Sequence, residues 1–284
     1  MSRGGPVVGR MLLGAQLRRL REARGITRAG AGVGIRAPGA KISRLEHGRA
    51  GLKERDIAGL LACYGVDDEQ QRARLLALAR RADAPGWWAE YGEVVAGWFE
   101  TYLGLEQAAS AIRSYEVQFV PGLLQTADYA RAVTLLGHAD APAGQIERRV
   151  QLRLARQQLL AGPDPPTLWV VVDEAALRRP LGGPGVMRAQ LQHLIQVVGR
   201  PGIAVQVMPL RAGGHPAAGG AFTILRFAEP DLADVVYLEQ LTTSRYLRKP
   251  GDTGHYLHVM DRLSAQAEPP AHTARLLQQI IETI

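Results

Sequence analysis

Gly25-Ile26-Thr27-Arg28 and Lys41-Ile42-Ser43-Arg44-Leu45-Glu46-His47-Gly48-Arg49 bracket the stretch whose reading decides the fold. Before it, Leu13, Leu17 and Leu20 fall on one helical stripe beside Arg18, Arg19 and Arg21, and Gly25 stops that helix. Thr27 can cap a second, short helix, and Pro38 or Ala40 opens a third. In the third helix Ile42 and Leu45, at i and i+3, face inward and leave Lys41 and Arg44 outward until Gly48 ends it. Two short helices joined by a turn, the second carrying exposed cations, can lay a helix in the major groove of DNA.

Outward from there, Ile57, Leu60, Leu61 and Tyr64 recur at three and four residues, which predicts a fourth helix. Asp67 caps a fifth over residues 68–81, with Leu75, Leu76 and Leu78 as its apolar residues. Charge follows the same division. Residues 1–81 hold 17 Lys and Arg against 7 Asp and Glu, whereas residues 82–284 hold 17 against 20. A positive module on a slightly acidic body suits phosphate binding. Lys41, Lys53 and Lys249 are the only lysines, and the remaining cations are arginine. That preference fits a GC-rich genome, but it does not explain the asymmetry.

Composition excludes several classes. No run of about 18 apolar residues occurs, so no membrane-spanning helix is expected. Arg3, Arg10, Arg18 and Arg19 interrupt every early apolar run, which argues against a secretory leader. Cys63 is the single cysteine, so neither a disulfide framework nor a cysteine-rich zinc site can form. A cytoplasmic location is expected, with no metal and no cofactor.

Ala84-Pro85-Gly86 is the expected boundary. Trp87, Trp88, Tyr91, Trp98, Phe99 and Tyr102 follow as a dense aromatic cluster, a candidate core or junction and a possible ligand or partner surface. The helical pattern is read as running on through Glu106, Ala108, Ala109 and Ile112 towards Tyr115-Glu116. A turn at Val120-Pro121-Gly122 leads into a helix from Asp128, and residues 147–160 read as another. The period then changes: residues 168–172, 203–208, 222–227 and 235–239 read as strands. The last two form an antiparallel hairpin. The first two, separated by a helix over residues 186–198, suit parallel neighbours, and Met260, Leu263, Leu276, Leu277 and Ile280 mark two closing helices.

The expected fold is therefore α+β. An N-terminal all-α, five-helix module covers residues 1–83, and a C-terminal α+β domain with a four- to five-stranded mixed sheet covers residues 84–284.

Leu13-Gly14-x-x-Leu17-Arg18-x-Leu20-Arg21, Gly25-Ile26-Thr27 and the run Lys41 to Arg49 together resemble the XRE (Cro/cI-type) helix-turn-helix family. The resemblance implies that Thr27 and Arg28 touch phosphate, and that Lys41, Ser43 and Arg44 lie in or beside the groove, with Arg49 following them. It implies a structural role for Glu46, paired with Arg18 or Arg21. Two departures stand out. Ala29-Gly30-Ala31-Gly32-Val33-Gly34 puts three glycines in the second helix, at about 1 kcal/mol each relative to alanine. Ala37-Pro38-Gly39-Ala40 leaves few side chains at the tip of the third helix to bond to bases. A locally soft module with weak base readout is expected.

The body carries a second resemblance, on Trp87-Trp88-x-x-Tyr91, Trp98-Phe99-x-x-Tyr102-x-x-Leu105-Glu106, Val120-Pro121-Gly122-Leu123-Leu124-Gln125-Thr126 and Asp128-Tyr129-Ala130-Arg131. Glu147-Arg148-Arg149-Val150 and Asp173-Glu174-x-x-Leu177-Arg178-Arg179-Pro180 belong to the same pattern. These blocks look like a domain of actinobacterial XRE regulators of the WhiJ-like, antitoxin-like kind. That resemblance implies a transcription factor paired with a small regulatory protein partner; double-stranded DNA as its target and a homodimer are expected with it.

Two other readings belong to the body. One is a small-molecule sensor, favoured by a deep apolar pocket lined by Trp87, Trp88 and Tyr102. The other is an enzyme behind a degenerate DNA-binding module. His215 lies in the loop Gly213-Gly214-His215-Pro216-Ala217-Ala218-Gly219-Gly220, which Asp173, Glu174 and Glu239 could approach. No serine elbow and no paired metal-ligand spacing accompany it, and Gly182-Gly183-Pro184-Gly185 lacks the lysine and spacing of a phosphate loop. No catalytic residue is assigned and no enzyme is expected.

Overall fold

A computed structural model describes residues 5–49, 51 and 53–284. Arg3 lies outside the described residues. The chain divides into two compact units. The first contains residues up to Glu90 together with Glu100–Ala108 and Ala228–Leu232, so it continues past Ala84-Pro85-Gly86. The second contains Tyr91–Phe99, Ala109–Phe227 and Ala233–Ile284.

Five helices build the first unit: α1 (Pro6–Ala23), α2 (Arg28–Gly34), α3 (Gly39–Glu46), α4 (Glu54–Cys63) and α5 (Glu69–Asp83). Leu13 and Leu17 from α1, Ile42 and Leu45 from α3, and Ile57, Leu60 and Leu61 from α4 are each at most 1 % exposed in one shared core. Asp68, not Asp67, caps α5, since its Oδ1 accepts the amides of Gln70 and Gln71 at 2.8 and 3.3 Å. Glu100–Ala108 of α6 (Gly97–Ala108) also belongs to this unit. At Gly104 a Cβ would lie 2.3 Å from Val7 Cγ2, so glycine lets α6 meet α1 closely.

The second unit is a six-stranded mixed sheet with helices. Its strands are β1 (Ala111–Glu116), β2 (Thr167–Asp173), β3 (Ile203–Met208), β4 (Phe222–Arg226), β5 (Val235–Glu239) and β6 (Ser244–Leu247). The order is β3-β2-β1-β4-β5-β6. Strands β1, β2 and β3 run parallel, while β4 pairs antiparallel with both β1 and β5. The expected hairpin and the expected parallel pair are both present. Two strands join the four that the sequence pattern shows. β1 corrects the reading of residues 109–116 as helix: α6 stops at Ala108, and Ala111 to Tyr115 pair on both edges, with β2 and with β4. β6 holds only four residues against β5.

Between the strands lie α7 (Ala127–Gly137), α8 (Ala143–Gln157), α9 (Glu174–Arg178) and α10 (Pro184–Val197); α11 (Pro250–Gln266) and α12 (Pro270–Ile281) close the chain. Tyr115, Val171, Phe222, Ile224 and Val236 from one sheet face pack with Val259, Met260 and Leu263 of α11. No helix among the described residues is long and apolar enough to cross a membrane.

Candidate nucleic-acid interface

Helix α3 is placed by three close approaches. At Gly14 an added Cβ would sit 2.5 Å from the carbonyl oxygen of Leu45, so α1 touches the last turn of α3 backbone to backbone. At Gly32 it would sit 2.2 Å from the carbonyl oxygen of Ala37, which brings α2 onto the turn before α3. Gly39, opening α3, lies against the start of α2 near Ala29. The glycine spacing in α2 is thus partly a packing requirement, because no side chain fits at Gly32.

Buried charge holds the same elements. The carboxylate of Glu46 is 1 % exposed and receives Arg21 through Nε and Nη2 and Arg28 through Nε, the last at 3.1 Å. Arg21 also donates to the carbonyl of Ile26 at 2.8 Å, and its hydrogen bond to Glu46 raises its pKa above the ordinary guanidinium value. Glu46 is therefore structural as expected, with Arg21 and not Arg18. Arg18 pairs with Glu22 along its own helix. A buried carboxylate shared by two guanidiniums ties α1, α2 and α3 together, and removing the carboxylate would strip the buried Arg21 of its bidentate partner.

The residues expected at DNA take different positions. Thr27 caps α2, its Oγ1 accepting the amide of Gly30 at 3.0 Å. Arg28 is half-exposed and already engaged with Glu46. Lys41 is about one-third exposed, and its Nζ lies 2.5 Å from Oδ2 of the buried Asp56 at the start of α4, a pairing the sequence does not show. Ser43 is half-buried, with its carbonyl accepting from His47 at 2.6 Å. Arg44 and Arg49 are exposed, and the Arg49 amide donates to the Arg44 carbonyl at 2.8 Å. Arg36 in the turn between α2 and α3 is exposed as well, and the sequence reading did not single it out.

The residues of the expected aromatic cluster divide between the units. Trp88 and Tyr102, at 5 and 7 % exposure, are core residues of the first, and the Trp87 and Trp88 rings meet edge to face at 6.0 Å. Tyr91 and Trp98 belong to the second. There the Arg148 guanidinium covers the Tyr91 ring at 4.5 Å, and Tyr246 donates its hydroxyl to the Trp98 carbonyl at 2.8 Å.

In the second unit His215 meets Tyr115 and Asp173. Its Nε2 lies 2.9 Å from the Tyr115 hydroxyl and 4.0 Å from Asp173 Oδ2, with 3.4 Å between the hydroxyl and that oxygen. Burial, then the Asp173 charge, drives the Tyr115 pKa well above the ordinary phenol value, so the hydroxyl stays protonated and donates. Tyr115 and Asp173 stand at the carboxyl ends of the parallel β1 and β2, where open α/β sheets commonly place ligands. Of the acids expected near His215 only Asp173 is there. Glu174 receives Arg178 and the Leu210 amide, and Glu239 receives the Tyr237 hydroxyl. Reading residues 109–116 as helix hid Tyr115.

Residues 12–75 match the family described as a helix-turn-helix domain, and residues 99–279 match the family described as a domain of unknown function, DUF5753. The chain belongs to the DUF5753 family. No curated protein and no solved structure matches it. This DUF5753 protein is thus a helix-turn-helix regulator with a large C-terminal α+β domain, and the α2–turn–α3 segment lies inside the matched helix-turn-helix.

Proposed function

We propose that this DUF5753 protein is a sequence-specific transcription regulator, antitoxin-like in organisation, whose body handles dimerisation and response to a small protein partner. The observation that carries the DNA-binding part is the division of α3. Ile42, Leu45 and Glu46 are buried in the bundle, whereas Arg44 on the same helix and Arg49 just beyond it remain exposed. Exposed guanidiniums on the second helix of such a motif are the groups that meet phosphate and base edges in the groove. The surplus of positive charge over residues 1–81 supports the same reading. As a homodimer the protein would read two half-sites about 10 bp apart. No catalysis is assigned to the body.

A second reading, sensing of a small molecule, is favoured by one feature. Tyr115, His215 and Asp173 converge at the carboxyl ends of parallel strands, and His215 Nδ1 is buried without a hydrogen-bond partner among the described residues.

The test is fluorescence anisotropy with the duplex upstream of the gene, at two salt concentrations and with random duplex as competitor. Tight, competitor-resistant binding is expected, and Arg44→Ala should weaken it about tenfold and lower the salt slope by about one. Wild-type binding no tighter than to random duplex, or an Arg44→Ala variant indistinguishable from wild type, would sink the proposal.

A further inference from the structure

Four helices of the first unit end in the same backbone motif. In α1, α3 and α4 the closing pairs of amide bonds are Gly25 to Glu22 with Ile26 to Arg21, Gly48 to Leu45 with Arg49 to Arg44, and Gly65 to Ala62 with Val66 to Leu61. In α2 they are Arg36 to Val33 at 3.1 Å and Ala37 to Gly32 at 2.8 Å. This double closure needs a left-handed residue at its first donor, a position that glycine fills without steric cost. Gly25, Gly48 and Gly65 have φ of 64°, 66° and 65°, while Arg36 has φ of 52°. Every other described residue in the left-handed region is a glycine. One helix end of four thus carries a strained side chain in a place where its neighbours use none.

The strained residue is a cation at the tip of the turn that leads into α3. It is exposed, and no acidic partner for it is found among the described residues. Arg28 and Lys41, by contrast, are committed to Glu46 and Asp56. The segment that follows, Ala37-Pro38-Gly39-Ala40, brings no polar side chain to the leading end of α3. A strained residue that persists at such a place points to function.

We propose that Arg36 is a phosphate contact on DNA, a cation retained at a glycine position because it supplies the charge that the leading end of α3 otherwise lacks. The proposal rests on the DNA-binding reading above and adds to it a residue outside the expected set.

The test uses the full-length protein and three variants, Arg36→Gly, Arg36→Lys and Arg44→Ala, measured for thermal unfolding and for binding to upstream and random duplex across a salt series. Arg36→Gly should raise Tm by about 2–5 °C by releasing the strain. It should weaken both duplexes about equally, by roughly tenfold, and lower the salt slope by about one. Arg36→Lys should keep the slope. If Arg36→Gly binds as wild type does while Arg44→Ala is weakened, the Arg36 contact is overturned and the DNA-binding reading stands. If wild type binds no duplex, both fall. A loss confined to the upstream duplex would mark a base contact and overturn the phosphate assignment, and a Tm unchanged or lowered would overturn the strain argument.

Discussion

Nζ of Lys41 lies 2.5 Å from Oδ2 of Asp56, whose side chain is only 6 % exposed. A cation on the helix expected to face DNA is therefore also the partner of a buried carboxylate in the bundle. With Lys41 removed, Asp56 would keep the more exposed Arg55 at 3.7 Å, a weak substitute.

The first prediction follows from that pair. Lys41→Met should destabilise the protein by about 1–3 kcal/mol, below the range for fully buried pairs because Lys41 is about one-third exposed. The double variant Lys41→Met, Asp56→Leu should recover most of the loss. Urea unfolding of the two variants measures both. A single variant as stable as wild type would show that Asp56 is well solvated without its partner.

Gly32 gives a prediction opposite to helix propensity. Alanine inside a helix should gain about 1 kcal/mol over glycine. The Ala37 carbonyl oxygen stands 2.2 Å from where the new methyl would go, so Gly32→Ala should instead lose about 2 kcal/mol. Thermal unfolding decides the sign, and a rise in Tm would mean that the α2–α3 turn yields easily.

Tyr64 is 1 % exposed, and its hydroxyl has no hydrogen-bond partner among the described residues. Burial, then the Glu46 charge, pushes its pKa up to about 12. Tyr64→Phe removes an unpaired buried dipole and should stabilise the first unit by about 1 kcal/mol. A loss of similar size in chemical unfolding would reveal a hydrogen bond made through water.

Glu116, at the end of β1, carries the pH dependence. Burial first, then the Glu239 charge, raises its carboxyl pKa from 4.5 to about 8, with Arg156 and Arg153 opposing. A raised folded-state value favours the protonated form. Its contribution to stability is therefore complete below about pH 4.5 and disappears as pH rises through about 8. Glu116→Gln should match wild type near pH 4 and exceed it by roughly 1–2 kcal/mol near pH 9. Parallel unfolding curves for the two proteins across that range would show that Glu116 titrates as an ordinary carboxylate.

Much of this molecule is legible in local pattern. Helices α1, α3 and α4 show their apolar stripes, α1 and α3 also their terminal glycines at Gly25 and Gly48, and β2, β3, β4 and β5 show compact apolar runs between breakers. These features are written in residues three or four apart, or adjacent, so they survive without knowledge of the fold. The buried role of Glu46 was legible as well, through the family resemblance of its surroundings.

What the fold alone decided depends on partners distant in sequence. Ala111–Glu116 continues a helical pattern, yet it becomes a strand because β2 and β4 supply hydrogen-bonding edges on both sides, and tertiary pairing overrides local preference. Tyr115 meets His215 across 100 residues, and no periodicity reports such a meeting. Lys41 and Asp56 are 15 residues apart on two helices, so only their packing shows that an apparent groove-facing cation also holds a buried carboxylate. At Gly32 and Arg36 residue type was visible, but its meaning was not: steric clearance and backbone φ are properties of the folded chain.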